Sequence, residues 1–209
     1  GGTFVGGIDM AKNENVHLNI TGGTFSVDPN AYCATGYTAT KNESGQWVVS
    51  PKEGMEADTS VSGNTASAEV GGTFSGNEDL GQDNVGASNG TLSIDATVTE
   101  GDTAAITKTE VSIGNEALTS VSGANSVNSV VLKTNVADLT VDKAAWNAIT
   151  KNADGAKVAL TIEEKAGTGG APLTYTVTAT ANGKDVYSAD NATGSIKISV
   201  KYEGTDLPK

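Results

Sequence analysis

Val16-His17-Leu18-Asn19-Ile20-Thr21-Gly22-Gly23-Thr24-Phe25 is the stretch on which the reading of this chain turns. Val16, Leu18 and Ile20 alternate with polar neighbours, the period of a strand with one buried face. The glycine pair then permits a sharp corner, and Phe25 supplies a large apolar side chain expected in a stacked interior. Gly-Gly-Thr-Phe occurs three times, at Gly1–Phe4, Gly22–Phe25 and Gly71–Phe74. Ahead of the third copy, Ala66, Ala68 and Val70 repeat the alternation with smaller side chains. A short motif recurring at long spacing marks stacked structural units rather than one catalytic centre. The interval from Gly2 to Gly22 is about 20 residues, one rung of a β-solenoid. The interval from Gly22 to Gly71, about 49 residues, reads as one rung with an excursion. That excursion is a hairpin, Tyr37–Thr40 and Gln46–Val49 joined by a turn containing Gly45. The first copy lacks an upstream half, so the chain is expected to be a fragment of a longer array.

The second half changes pattern. Val111 and Ile113 alternate as a strand before Glu116–Val121; Leu139 and Val141 do the same before Lys143–Ile149. Asp142 suits an N-cap, Trp146 and Ile149 share a helix face, and Asn152–Gly155 offers a stop. At an offset of about 28 residues Val111 falls on Leu139, Ile113 on Val141, Leu118 on Trp146 and Val121 on Ile149. Val130 then falls on Val158 and Leu132 on Leu160, which predicts two strand–helix–strand units at about 109–134 and 137–162. Asn182-Gly183 between two strands predicts a tight hairpin, and Ile196, Ile198, Val200 and Tyr202 form a last strand. The expected fold is mostly β. A β-solenoid over residues 1–98, right-handed β-helix-like and the end of a longer array, precedes a small α+β domain over residues 99–209 with an antiparallel sheet and one or two short helices.

Composition excludes several functions. The 209 residues carry 25 acidic and 13 basic groups, a formal charge of -12, and every basic residue is lysine. Such a chain repels phosphate backbones and lacks the arginine fork, so no nucleic acid partner is expected. The apolar runs are too short for a membrane span. One cysteine and one histidine cannot build a disulfide framework or a zinc or copper site. Low charge density with abundant Thr, Ser, Asn and Gly fits a secreted bacterial surface protein.

Chemistry-bearing residues are sparse. His17 alternates with Val16 and Leu18 and reads as a solvated or rung-edge side chain; Cys33 reads as a small packed residue, with a reactive thiol the alternative. Asp9, Glu43, Asp58, Glu69 and Asp95 are scattered, though two carboxylates could meet across rungs as a glycosidase pair. The acidic loop 77–84, with Asn77, Glu78, Asp79, Asp83 and Asn84, could offer oxygens to calcium or be merely solvated. Trp47, Tyr32 and Tyr37 could hold sugars or close the rung. Glu163-Glu164-Lys165 reads as a solvated strand end. Lys133, Lys197 or Lys201 could form an amide cross-link with an asparagine only if buried beside a carboxamide and an acid. No catalytic, cofactor-binding or metal-binding residue is assigned.

Two resemblances extend this reading. Gly22-Gly23-Thr24-Phe25-Ser26-Val27-Asp28-Pro29-Asn30-Ala31-Tyr32, then Gly36-Tyr37 and Trp47-Val48-Val49, resembles a repeat of large cell-surface proteins of gut Firmicutes. In that family Cys33 stands where a small apolar residue is usual. The resemblance implies right-handed β-helices or related solenoids. Val136–Tyr202, with Leu139-Thr140-Val141-Asp142-Lys143-Ala144-Ala145-Trp146 and a closing Gly194–Tyr202, is similar to a segment that precedes S-layer homology domains. Together they imply a non-enzymatic, extracellular stalk or spacer of a bacterial cell-surface protein, an adhesin-type structural protein without cofactor. Its expected partners are a cell-wall polymer, a host glycan or a host surface protein. The alternative is a carbohydrate-binding or carbohydrate-cleaving β-helix module.

Overall fold

A computed structural model describes residues 2–6, 18–76, 78, 83–99, 105–167 and 172–200. Among the described residues the fold is mainly β, with several sheets and two short α-helices, and no closed solenoid or barrel occurs. In chain order the strands are β1 (Thr3–Phe4), β2 (Gly23–Phe25), β3 (Tyr37–Lys41), β4 (Trp47–Pro51), β5 (Gly54–Ser62), β6 (Thr65–Thr73), β7 (Val85–Ser88) and β8 (Thr91–Asp95). They continue with β9 (Lys108–Ile113), helix α1 (Asn115–Gly123), β10 (Ser129–Lys133), β11 (Ala137–Asp142), helix α2 (Lys143–Ala153), β12 (Val158–Lys165), β13 (Thr174–Ala181), β14 (Lys184–Asp185) and β15 (Ile196–Val200). Three sheets result: β1-β2-β4-β3, β15-β11-β10-β8-β7 and β14-β13-β12-β9-β6-β5.

The first, small sheet holds the first two Gly-Gly-Thr-Phe copies. β1 and β2 run parallel with Thr3 opposite Thr24 and Phe4 opposite Phe25, so identical residues stack on each other. The two rings lie 4.8 Å apart and 10° from parallel. Thr24 N–H donates to Gly2 O at 2.9 Å and Ser26 N–H to Phe4 O at 3.1 Å. The β3–β4 hairpin forms as the sequence predicts, with Ala39 opposite Val49. Phe25, Ala39 and Val49 are the buried apolar residues of this sheet.

The third copy departs from the expected stack. Gly71-Gly72-Thr73 ends β6, antiparallel to β5, and Phe74 packs against a different apolar cluster. That cluster runs from Met55 through Val85, Leu92 and Ile94 to Val186 and includes both helices. The expected boundary at 98/99 is therefore corrected. Strands β5–β8 share sheets and core with everything that follows them, and the architecture changes near Lys52. The same body corrects the single antiparallel sheet. It has two mixed sheets, with β6 parallel to β9 and β8 parallel to β10.

The offset of 28 residues is visible as a pseudo-two-fold relation. β9 pairs β12 with Val111 opposite Leu160 and Ile113 opposite Val158. β10 pairs β11 with Leu139 opposite Leu132 and Val141 opposite Val130. Exchanging the two copies turns one ladder into the other. The strands of one copy do not pair together; each copy gives one strand to each large sheet, so neither copy closes a ladder alone. Leu118 and Trp146, equivalent in the two copies, meet where the indole N–H donates to Leu118 O at 3.1 Å. That bond satisfies the polar atom of a side chain only 1% exposed.

The helix ends are where the copies differ. Asp142 Oδ1 accepts from Ala145 N–H at 2.8 Å, whereas Gly114 offers α1 no side-chain cap. Lys143 compensates at the other end of α1. Its Nζ donates to Val121 O at 2.5 Å and Ala124 O at 2.8 Å, placing a cation at the C-terminal carbonyls, where Val121 O also accepts from Ala124 N–H. α2 stops at Asp154 in the left-handed region. Gly194, at φ +78°, lies so close to the cap that a Cβ would collide with Asp142 and Ala145, and Ser195 donates twice to Asp142 Oδ2 at 2.8 Å.

Candidate functional site

The feature that gathers most polar side chains is the junction between the small sheet and the body. It is built on glycine. Gly36, at φ +77°, crosses directly over Gly71 and Gly72; a Cβ on Gly36 would collide with both backbones. The loop is held there by side chains of the body. Gly36 N–H donates to Glu56 Oε1 at 2.7 Å, and Thr35 Oγ1 donates to Asp58 Oδ2 at 2.9 Å. Lys52 N–H donates to Gly36 O at 2.8 Å, and its ammonium pairs with Glu56 and lies 3.7 Å from Asp83. The glycine pair that turns a corner in the second copy thus serves in the third as the flat bed for a crossing strand.

Beside this crossing lies a cleft of about 300 Å³ lined by Asn19, Thr35, Tyr37, Glu69, Asn115, Glu116 and Lys157 among others. Burial, the hydrogen bond with Glu116 and that residue's charge push the Tyr37 phenol up to about 12, so it stays a neutral donor. Burial pushes the Glu56 carboxyl up, but the Lys52 bond, the Gly36 N–H and the Lys52 charge outweigh it and leave it below its ordinary value. The same Glu56 bond raises Lys52 above its ordinary value. A ring, two carboxylates, an ammonium and two amides can bind polar ligands. The lining also includes Ser112, opposite Glu69 in the β6–β9 ladder.

The residues singled out by sequence fall apart in space. His17, Asp9 and Lys201 lie outside the described residues, as do Asn77 and Asp79 of the acidic loop. Glu78 is occupied locally, accepting from Ser75 N–H at 2.6 Å and Gly76 N–H at 3.0 Å. Among the described residues no group of three or more His, Cys, Asp or Glu converges as a metal site. Trp47 packs on the small core and carries the Lys41 ammonium 5.8 Å from its ring centroid, while Tyr37 lines the cleft. Cys33 is half-buried against the small core, its thiol raised by burial and by Asp28. Of the scattered acids, Asp58 and Glu69 face each other across the β5–β6 ladder; Glu43 and Asp95 do not join them. Lys133 is opposite Asp95 in the β8–β10 ladder and Lys197 opposite Thr140, so the register brings no asparagine to either. Glu56 and Glu116 were not foreseen as junction residues, since nothing local in their strands or helix marks them.

Comparison with protein-family models, with curated proteins and with solved structures finds no match to this chain.

Proposed function

We propose that this chain is a non-enzymatic, extracellular structural segment of a bacterial cell-surface protein, acting as a stalk or spacer. In this reading the small sheet is a step of a right-handed β-solenoid that passes its path into the folded body. The observation that carries it is the in-register parallel stacking of two identical tetrapeptides, ring on ring, which is how repeat arrays transmit structure along an axis. The glycine-bedded junction supports it by fixing the small sheet to the body through several bonds rather than one linker. Composition and the resemblance to surface repeats and to segments before S-layer homology domains support an extracellular location, with cell-wall polymer, host glycan or host surface protein as the proposed partners.

The test has two arms. Antibodies to the chain should label intact cells of the source organism, and labelling only after lysis would contradict the surface location. Purified chain should release no reducing sugar from polysaccharides; turnover would replace the spacer reading with a carbohydrate-cleaving module. The ring and amides of the Tyr37 cleft favour one second reading, a carbohydrate-binding module. Saturable binding on a glycan array, lost in Tyr37→Ala, would establish it.

A further inference from the structure

We propose that the junction is a carboxylate clasp that opens on acidification, releasing the small sheet while the body stays folded. The argument rests on where the tethers end. Two side chains of the body hydrogen-bond to the Thr35–Gly36 segment, and both are carboxylates. Glu56 accepts from Gly36 N–H at 2.7 Å, Asp58 accepts from Thr35 Oγ1 at 2.9 Å, and Glu116 lines the same cleft as Tyr37. Hydrogen bonds to ionised acceptors are about twice as strong as neutral ones, so protonation weakens both carboxylate tethers and leaves the Lys52 N–H bond to Gly36 O as the one that does not titrate. Among the described residues the small sheet has little to fall back on, because those it buries are Phe25, Ala39 and Val49.

The groups around the tethers decide the sign. Glu56 faces Lys52 and, beyond it, Asp83. Asp58 lies opposite Glu69 on the neighbouring strand, and Glu116 shares the cleft with Glu69 and Lys157. Glu56 lies below its ordinary value, so its contribution is full above about pH 4.3 and is lost as pH falls through the lower folded value. Tyr37 is raised, so its contribution is full below about pH 10 and is lost as pH rises through about 12. The clasp thus closes over the neutral range and opens at both ends. The body is held by its continuous apolar cluster, which acid does not titrate, although acid weakens the Asp142 cap of α2.

Amide exchange by NMR on the whole chain between pH 7 and pH 3 tests this. The amides of Thr24, Ser26 and Tyr37 should lose protection at a higher pH than those of Val111, Leu132, Leu139 and Leu160. Loss of both sets at one pH would overturn the proposal. The variants Glu56→Gln and Asp58→Asn keep an acceptor oxygen without its titration. Each should lower the released population at the parent's midpoint, and the double variant by about tenfold, one unit of midpoint shift. Release of all three variants at the parent's pH would overturn it equally.

Discussion

The small sheet buries Phe25, Ala39 and Val49, with Ile20, Cys33, Tyr37 and Trp47 half-covered around them, whereas the body buries a continuous cluster from Met55 to Val186. Both regions contain Gly-Gly-Thr-Phe, yet the motif does opposite work in each. In the small sheet Phe25 is 5% exposed and Phe4, stacked on it, is 53% exposed, so each rung depends on the next for cover. In the body Phe74 only edges a core already closed by two sheets and two helices. The few side chains buried among its described residues, at roughly 1.5–3 kcal/mol each, cannot offset the ordering entropy of about forty residues. The small sheet is therefore stable by attachment and the body by its own interior.

Breaking the body should break everything. Trp146→Ala removes the largest fully buried side chain and its bond to Leu118 O, and should cost about 3–5 kcal/mol in the main chemical denaturation transition. Breaking the junction should separate the regions. Gly36→Ala forces a Cβ into Gly71 and Gly72 at a positive φ, and should detach the small sheet at a cost of about 2–3 kcal/mol. Trp47 fluorescence would report that loss while the main transition stays in place. Two smaller changes sharpen the view of the body. Thr109 Oγ1 is buried without a hydrogen-bond partner, so Thr109→Val should raise the denaturation midpoint, a gain of about 1 kcal/mol. Asp142→Ala removes the α2 cap and both Ser195 bonds, and should cost about 1–2 kcal/mol, less below the lowered carboxyl value, where the parent has already lost its charge.

The matched apolar spacing of residues 109–134 and 137–162 was legible because burial is periodic. Val111, Leu118, Val130 and their partners Leu139, Trp146 and Val158 are all buried, so both copies print the same apolar spacing. Their pairing was not legible, since alternation says that a strand has a buried face and not which sheet it joins. The β3–β4 hairpin and the Asn182-Gly183 turn were readable from local turn chemistry, and both turn residues do take positive φ. The third Gly-Gly-Thr-Phe misled because identical text tolerates two backbone settings: Gly72 at φ +81° ends a long strand, while Gly23 at φ +118° opens a short one. The junction could not be foreseen, because Glu56, Asp58 and Glu116 become meaningful only when β5 and α1 come beside the Gly36 loop.

Native-state hydrogen exchange at neutral pH measures the contrast between the two regions most directly. Two tiers are predicted: the amides of Leu132, Leu139, Val111 and Leu160 exchange only through global unfolding, while those of Thr24, Ser26 and Tyr37 exchange through a cheaper opening that leaves the body intact. A single tier shared by both regions would contradict it.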